Sequence, residues 1–323
     1  MSRPKVIVTR RWPEPVEARL QTLFEVELNA SDVPLTQPQL QAALQQADAL
    51  LPTVTDILNA EVLSVEGIRC RILGNFGVGF NHIDIEAARR QGLTVTNTPD
   101  VLTDSTADIA MLLMLAVARR SGEGERELRR GDWTGWRPTH MLGTQVTGKT
   151  LGLIGFGRIA RAMARKAHHG FGMPVVFFDP APVAPELAAE VSATAMPSVE
   201  AVLASADFVA LHCPGSQANR HLINAERLAM MKPGAYLINT ARGDVVDSAA
   251  LVEALKTGVI RGAGLDVFEG EPNIHPGLLA LENAVLLPHL GSATEETRIA
   301  MGMRVIDNLT AFFDGHIPAD KVV

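Results

Sequence analysis

The sequence predicts an α/β protein with two domains, and three observations support this prediction. The chain has 323 residues, a length greater than one hydrophobic core usually supports, and 47% of them are hydrophobic. Short apolar segments alternate with helical segments along most of the chain, which is typical of a parallel sheet flanked by helices. The segment 151–179, LGLIGFGRIARAMARKAHHGFGMPVVFFD, has the order strand, glycine turn, helix and strand.

Apolar runs predict the first sheet within the first hundred residues. Its clearest strands are residues 5–9, 49–51, 71–75 and 94–97. A helix is predicted next, over residues 104–119, and apolar side chains lie on every side of it: Ile109, Met111, Leu112, Leu113, Met114, Leu115 and Val117. A helix that is apolar all round must be buried. Because an isolated subunit would expose part of this surface, we expect a homodimer.

The next segment, residues 121–148, is polar and rich in glycine and tryptophan. It shows neither the helical nor the strand period, so we interpret it as an extended arm or loop. A loop of this length inside a compact protein usually has a function.

A second α/β unit follows, with a helix at the end of the chain. Its predicted strands are residues 150–154, 175–178, 208–211, 235–239, 262–266 and 285–287. The closing segment 295–315 has the pattern of a helix.

The glycine turn after residue 154 is the clearest functional motif. Gly155, Gly157 and Ala160 have the spacing G-x-G-x-x-A, in which the first glycine permits a tight turn and the second lets backbone approach a pyrophosphate. Ala160 permits close packing of the helix on the sheet. The N–H groups at the start of that helix, around Phe156, Arg158 and Ile159, then bind the phosphates. The motif is weak alone, but its strand and helix context predicts a dinucleotide site.

Asp179, at the end of the second strand of this unit, bears on the choice of cofactor. A carboxylate there accepts hydrogen bonds from a ribose 2′-hydroxyl and repels a 2′-phosphate, and residues 180–182 supply no cation. The sequence therefore favours NAD, with NADP as the alternative. Asp179 could instead simply open a turn before Pro180, a common use of aspartate.

Composition argues against several classes of protein. The formal net charge of −7, without a basic cluster, makes nucleic acid an unlikely partner. The two cysteines, Cys70 and Cys213, show no metal-ligand spacing, which predicts no metal site and fits a reducing, cytoplasmic location. The most apolar run, 109–118, is too short to cross a bilayer, so no membrane association is expected.

Three polar residues follow predicted strands of the second unit: Arg242, Glu271 and His289. Open α/β sheets bind ligands at the carboxyl ends of their strands. A guanidinium can grip a carboxylate and polarise a carbonyl, an imidazole can donate a proton, and a carboxylate can orient that imidazole. Each of the three could instead be an ordinary surface or turn residue. The hypothesis of a catalytic site therefore rests on all three following strands of the same sheet.

The whole chain resembles the D-isomer-specific 2-hydroxyacid dehydrogenase family, and within it the glyoxylate/hydroxypyruvate reductase branch. Six segments carry the resemblance in order: NFGVGFNHID, VTNTPDVLTDSTADIAMLL, GKTLGLIGFGRIA, NTARGDVVD, GLDVFEGEP and LLPHLGSAT.

The resemblance implies two doubly wound parallel-sheet domains, a Rossmann domain inserted into a flavodoxin-like substrate domain. The substrate (catalytic) domain would comprise residues 1–100 and 290–323. The NAD(P)-binding domain would comprise residues 101–289, with a dimerisation arm at about 104–148.

The resemblance also implies roles for single residues. Arg242, Glu271 and His289 would be catalytic, and the backbone N–H groups of Val78 and Gly79 would bind the substrate carboxylate. Beyond the glycine turn and Asp179, the cofactor would contact Thr106, His212, Cys213, Pro214, Thr240, Ala241, Asp266, His289 and Gly291. We interpret Cys213 as a packing residue near the adenosine rather than a nucleophile.

The arm departs from the branch that the chain resembles. That branch has a segment like WKPLWLCG where this chain has WRPTHMLG. In the family the arm reaches the neighbouring subunit's active site, so we expect His140 and Met141 to influence substrate choice. The alternative is that His140 is simply an exposed histidine.

The expected activity is NAD(P)H-dependent reduction of small 2-oxo acids, glyoxylate and hydroxypyruvate first, to D-2-hydroxy acids. Two alternatives stay open. The substrate could be a larger 2-oxo acid such as 2-ketogluconate, or the chain could be an NADH-sensing binding protein, because relatives with this fold act as transcriptional corepressors.

Overall fold

The computed structural model describes residues 3–323, which form two compact units. The first unit comprises residues 3–102 together with residues 293–323, and the second comprises Thr103–Ser292. The first unit is therefore discontinuous in sequence, and the second is a single stretch of chain.

The described residues contain twelve strands and thirteen α-helices. The strands are β1 (Lys5–Val8), β2 (Glu25–Glu27), β3 (Ala49–Leu51), β4 (Ile72–Gly74), β5 (Thr94–Thr96), β6 (Leu151–Ile154), β7 (Val175–Phe178), β8 (Thr194–Ala195), β9 (Phe208–Leu211), β10 (Tyr236–Asn239), β11 (Gly262–Leu265) and β12 (Ala284–Leu286). The helices are α1 (Glu14–Leu23), α2 (Gln37–Gln46), α3 (Ala60–Leu63), α4 (Ile85–Arg90), α5 (Thr103–Ala118), α6 (Ser121–Arg130), α7 (Arg158–Phe171), α8 (Pro185–Ala189), α9 (Val199–Ser205), α10 (Ala225–Ala229), α11 (Ser248–Thr257), α12 (Pro276–Leu279) and α13 (Glu295–Phe313).

The first unit is built on a parallel sheet with the strand order β2-β1-β3-β4-β5. This is the flavodoxin-like order. Its central strands are buried on both faces, as expected when helices cover both sides of a sheet. Helix α13 belongs to this unit and begins at Thr294, whose side chain accepts a hydrogen bond from the N–H of Thr297 at 3.1 Å.

The second unit is built on a parallel sheet with the strand order β12-β11-β10-β9-β6-β7-β8. Counted from β6, this is the Rossmann order 3-2-1-4-5-6 with one further strand. Helices α5 and α7 pack against each other, and α5 also packs on β10 and β11. The predicted fold class, two doubly wound parallel-sheet domains, is confirmed.

Most apolar side chains of the helix predicted at 104–119 are buried or partly buried. Met111, Leu113, Met114 and Val117 are in the core of the second unit. Leu112, however, is 50% exposed. Part of the apolar surface of this helix is thus exposed on the isolated subunit, as the sequence led us to expect.

The prediction of an arm or loop over 121–148 is wrong for its first third, where α6 forms. Two ion pairs stabilise it, and the partners of each pair are about one helical turn apart. One joins Arg120 to Glu123, and the other joins Glu125 to Arg129. Gly131 ends the helix in a left-handed conformation, with φ 75°. The rest of the segment, 131–148, contains no helix or strand within the described chain.

Candidate active site

The three predicted catalytic residues follow three neighbouring strands of the second unit. Arg242 comes after β10, Glu271 after β11 and His289 after β12. These strands are adjacent and parallel. Their carboxyl ends therefore meet at one edge of the sheet, where open α/β proteins bind ligands.

Glu271 and His289 form a hydrogen-bonded pair. Oε2 of Glu271 lies 2.9 Å from Nδ1 of His289, and the two side chains are 34% and 32% exposed. Oε1 of Glu271 accepts a hydrogen bond from the N–H of Phe268 at 2.8 Å. Burial acts to raise the pKa of Glu271, but the bond and charge of His289, the Phe268 N–H and the charge of Arg242 together lower it. Glu271 is therefore a carboxylate at neutral pH.

The backbone of His289 is held by Asp266, an interaction that sequence reasoning missed. His289 has φ 56°, a left-handed conformation that histidine adopts more readily than most residues. Its N–H donates to the carbonyl oxygen of Asp266 at 3.0 Å. The Asp266 side chain, only 1% exposed, accepts 2.7 Å bonds from the N–H groups of Leu290 and Gly291. Burial raises the pKa of Asp266, although these two bonds oppose the rise.

Arg242 is partly buried, and its side chain is anchored close to its own turn. Nη1 donates to the carbonyl oxygen of Ala241 at 2.7 Å, and the Asn239 amide donates to the carbonyl oxygen of Arg242 at 2.9 Å. Burial lowers the pKa of Arg242, while the charges of Glu271 and Asp244 act to raise it. An arginine stays charged under such conditions. The charge of Arg242 in turn acts to lower the pKa of Glu271.

The glycine turn has the geometry of a phosphate cradle. Gly155 has φ 87°, and a Cβ there would lie 2.9 Å from the carbonyl carbon and oxygen of His212, so only glycine fits. At Gly157 a Cβ would meet nothing within 4 Å, which leaves open space in front of α7. Within residues 3–323, no side chain caps this helix at Gly157. The turn can therefore present backbone N–H groups to an anion.

Asp179 is tied to this turn. One of its oxygens accepts the N–H of Phe156 at 2.8 Å, and the other accepts the N–H of Ala181 at 2.9 Å. The second bond is the turn-opening role weighed above, while the first fixes the carboxylate beside the glycine turn. Each oxygen retains a further lone pair for a ribose hydroxyl.

The other expected cofactor residues line the same edge of the sheet. Thr240 is buried, and its Oγ1 has no hydrogen-bond partner among the described residues. A buried hydroxyl without a partner is rare in a folded protein, so it fits a bound polar ligand. A Cβ at Gly291 would lie 3.3 Å from both Oδ2 of Asp266 and Cγ2 of Thr106, which brings these three residues together.

The two titratable side chains that begin the loop after β9, His212 and Cys213, are uncharged at neutral pH. Burial lowers the pKa of His212 to about 4, and its Nε2 lies 3.4 Å from the sulfur of Met163. Burial also raises the pKa of the Cys213 thiol to about 11. A thiol in this state is a poor nucleophile, which agrees with a packing role for Cys213. Pro214 follows in the same loop, and its carbonyl oxygen accepts a 2.9 Å bond from the side chain of Asn219.

In the first unit, two asparagines orient the loop that carries Val78 and Gly79. The Asn75 amide donates to the carbonyl oxygens of Gly77 and Gly79 at 2.9 and 3.1 Å. The Asn97 amide donates to the carbonyl oxygen of Val78 at 2.9 Å. Sequence reasoning missed both asparagines, because side-chain bonds to backbone leave no spacing pattern. The role of the Val78 and Gly79 N–H groups in carboxylate binding stays a prediction.

His140 and Met141 lie against α6, within the second unit. Nε2 of His140 lies 3.2 Å from Glu127 Oε2, and Nδ1 lies 2.9 Å from Nη2 of Arg137. The sulfur of Met141 would be 3.8 Å from a Cβ at Gly124. His140 is therefore a bonded residue of the arm, and its influence on substrate choice stays a prediction.

Two features are absent from residues 3–323. No group of three or more histidine, cysteine, aspartate or glutamate side chains is arranged to hold a metal ion. No helix in the same range combines the length and apolar character needed to span a membrane.

Comparisons with known proteins agree on one family. Residues 111–291 match the NAD-binding domain of the D-isomer specific 2-hydroxyacid dehydrogenases. The glyoxylate reductase of Thermococcus onnurineus (strain NA1) is 44% identical over 324 aligned residues, covering 99% of this chain and 96% of that protein. Thus the chain belongs to the D-isomer specific 2-hydroxyacid dehydrogenase family, as its motifs predicted.

Solved structures extend the likeness to the fold. The NADPH-dependent glyoxylate/hydroxypyruvate reductase of Sinorhizobium meliloti, in complex with NADP and malonate, superposes with a TM-score of 0.88 at 34% identity, covering 100% of this chain and 97% of that one. The holo form of Rhodotorula graminis D-mandelate dehydrogenase gives a TM-score of 0.89 at 29% identity, covering 100% and 98%. The protein is accordingly an oxidoreductase that uses a nicotinamide dinucleotide.

Proposed function

We propose that this protein reduces small 2-oxo acids, glyoxylate and hydroxypyruvate first, to D-2-hydroxy acids at the expense of NADH. The observation that carries the proposal is the set Arg242, Glu271 and His289 at the carboxyl ends of three adjacent strands, with the imidazole bonded to the carboxylate at 2.9 Å. The glyoxylate reductases among its relatives support the same substrate class.

Arg242 binds and orients the substrate in this mechanism. Its planar guanidinium matches a carboxylate with two parallel N–H bonds and places a further N–H near the adjacent carbonyl oxygen. Negative charge develops on that oxygen during reduction, and a partly buried cation stabilises it more strongly than water does. A role of the Val78 and Gly79 backbone N–H groups in binding the substrate carboxylate is proposed on the family resemblance alone.

His289 supplies the proton. Its Nδ1 is engaged by Glu271, which leaves Nε2 to donate to the carbonyl oxygen of the substrate. Glu271 is ionised, and its bond to Nδ1 orients the ring from which the proton is given up. The bound dinucleotide supplies the hydride to the carbonyl carbon.

The dinucleotide would be held by the glycine turn, Asp179 and the buried hydroxyl of Thr240. NADH is preferred in the proposal because the Asp179 carboxylate repels a 2′-phosphate, and residues 180–182 (Pro-Ala-Pro) offer no cation to attract one. In the proposal the second unit, Thr103–Ser292, binds the cofactor and also supplies Arg242 and His289 to the substrate.

A homodimer and a reducing, cytoplasmic location complete the proposal. Exposed apolar side chains are concentrated in α5, α6 and the segment after them: Leu112, Leu128, Trp133, Trp136 and Leu142. A second copy of the chain would cover such a surface. Both cysteines are free thiols, which fits the reducing location.

The test is an initial-rate panel of glyoxylate, hydroxypyruvate, pyruvate and 2-ketogluconate, each with NADH and with NADPH. We expect the highest kcat/KM for the two small acids with NADH. A best rate with 2-ketogluconate would favour the larger-substrate alternative, and no turnover of any acid would favour the NADH-sensing alternative.

The matched variants are Arg242→Ala and Arg261→Ala, which remove an arginine from the proposed site and from elsewhere in the second unit. Arg242→Ala should lower kcat/KM by roughly 100-fold or more, because orientation and carbonyl polarisation are lost together. Near-normal kinetics in Arg242→Ala would refute the assignment.

A further inference from the structure

A second imidazole–carboxylate pair lies beside the proposed catalytic pair. Nε2 of His221 lies 2.9 Å from Oε1 of Glu269, and Nη2 of Arg220 lies 2.9 Å from the same oxygen. Glu269 precedes Glu271 by two residues, on the loop that follows β11. The side chains of His221 and Glu269 are 33% and 27% exposed, so the pair is partly enclosed.

The segment that carries His221 is bonded to the chain that follows Arg242. The His221 N–H donates to the carbonyl oxygen of Asp244 at 2.8 Å, and the Ile223 N–H donates to that of Val245 at 3.0 Å. The Asp247 N–H then donates back to Ile223 at 2.9 Å. His221 is therefore fixed to the turn that begins at Arg242.

The same turn packs directly on the loop of Glu269. A Cβ at Gly243 would overlap the carbonyl group of Phe268 and the nitrogen of Glu269, so backbone touches backbone there. The N–H of Phe268 is also the donor to Glu271 Oε1 at 2.8 Å. A shift of Phe268 and Glu269 would therefore displace the N–H group that binds Glu271. It would also displace the backbone that packs against Gly243.

The backbone at His221 indicates that its placement is maintained by the surrounding structure. Its φ of 50° lies in the left-handed region, as does that of His289. A non-glycine residue in that region persists when its surroundings hold it there. The charged groups around the ring are Glu269, Arg220 through Glu269, and Asp247, whose Oδ2 lies 3.9 Å from Nδ1.

From these contacts we propose that His221 and Glu269 are positioning residues, which clamp the loop of Glu271 against the turn of Arg242. The inference rests on the proposed function, because it assigns the pair an effect on the same reaction. Neither residue is assigned a contact with substrate or cofactor. Their effect is to keep Glu271, and through it His289, in register with the guanidinium.

The test uses Glu269→Ala, Glu269→Gln and His221→Asn in the full-length protein. Glutamine retains an oxygen that accepts the His221 N–H, whereas asparagine tolerates the left-handed backbone but is too short to reach Glu269. Glu253→Gln, in the exposed pair with Lys256, is the surface control. Each variant is assayed for kcat, for KM of glyoxylate and NADH, and for its melting temperature.

We expect Glu269→Ala and His221→Asn to lower kcat roughly 10- to 100-fold, because small misplacements of catalytic groups cost this much. The KM for NADH should change less than about twofold, since the glycine turn and Asp179 are untouched. Glu269→Gln should recover most of the kcat. A role limited to stability would instead lower the melting temperature of Glu269→Ala and His221→Asn while leaving kcat near normal.

The outcomes separate the two proposals. If Arg242→Ala and His289→Ala abolish turnover while Glu269→Ala and His221→Asn keep a normal kcat, only the positioning role is overturned. If Glu269→Gln is as impaired as Glu269→Ala, the hydrogen bond to His221 does not carry the effect and the inference is also wrong. Absence of 2-oxo acid turnover in the unmodified protein would overturn both.

Discussion

At the scale of single residues, His289 depends on two carboxylates with different tasks. Glu271 bonds its ring, whereas Asp266 bonds its backbone and that of the two residues after it. Glu271 could be predicted because an acid near the end of a strand forms part of a motif. The task of Asp266 could not, because a bond from a side chain to distant backbone depends on the folded path of the chain. The same reason hid Asn75 and Asn97.

The first prediction concerns the charge of Glu271. Because its pKa is lowered, Glu271 is ionised throughout the neutral range. The ionised carboxylate stabilises the folded protein, and this stabilisation is lost only in acid, as the pH falls through the lowered pKa. In Glu271→Gln the imidazolium loses this counter-charge. The ring of His289 also loses the oxygen charge that holds its Nδ1, so kcat should fall roughly tenfold or more, at pH 7.5 as at pH 6.

The measurement is the rate of glyoxylate reduction from pH 5 to pH 9.5, with Glu253→Gln as a control that removes an exposed carboxylate. A normal kcat across the neutral range in Glu271→Gln would contradict the role given to the Glu271–His289 pair. So would an equal loss of kcat in Glu253→Gln.

At the scale of elements, the central strands were predictable and the peripheral elements were not. Predicted strands such as 175–178 and 208–211 coincide with β7 and β9. Both are unbroken apolar runs, because β9 is buried on both faces and β7 is buried on one face and partly buried on the other. The edge strands β2 and β8 are two or three residues long and largely exposed, so they lack such a run. In α6, Gly122 and Gly124 lower helix propensity and hide the helix that its ion pairs stabilise.

The second prediction separates the two glycines of the turn between β6 and α7. Gly155→Ala should lower the free energy of unfolding by about 1–3 kcal/mol, because alanine is strained at φ 87° and its Cβ would press on His212. Gly157→Ala should leave stability near normal, since its φ is −72° and a Cβ there meets open space. That space is where the pyrophosphate is expected, so Gly157→Ala should weaken NADH binding by roughly tenfold or more.

Urea unfolding and fluorescence titration with NADH test the pair of variants together. If Gly157→Ala bound NADH as tightly as the unmodified protein, the phosphates would have to lie elsewhere. Equal destabilisation by both variants would contradict the geometry described for the turn.

At the scale of the whole molecule, the parallel character of both sheets follows from the pattern of elements, but the order of the strands and the division of the chain do not. Alternating strands and helices dictate parallel sheets with right-handed crossovers. Nothing in the pattern of residues 295–315 says that this helix belongs with the first hundred residues. That expectation came from the family resemblance.

The third prediction concerns assembly. Leu112 and Trp136 are 50% and 82% exposed, and both are among the apolar side chains that the proposed homodimer would cover. A double variant, Leu112→Asp with Trp136→Asp, should convert the expected dimer to a monomer, because two charges cannot be buried in an apolar interface without large cost. Ile317→Asp is the matched control, since Ile317 is also 82% exposed but lies in the first unit.

Light scattering at low micromolar concentration measures the result. A monomeric mass for the unmodified protein would contradict the proposed homodimer, and so would a dimer that survives the double substitution.

The discontinuity of the first unit also has a consequence for biosynthesis. Helix α13 supplies buried side chains to that unit, among them Met301, Val305, Ile306 and Leu309. The backbone of Val323 pairs with Val95. The early part of the first unit is translated before the second unit, and its partner α13 is translated after it. The early part must therefore wait about 10 to 40 s, at ordinary elongation rates, before it can complete its fold. We therefore expect the second unit to fold before the first unit during synthesis. Strands β1 to β5 are exposed in the meantime, and a chaperone would be needed there.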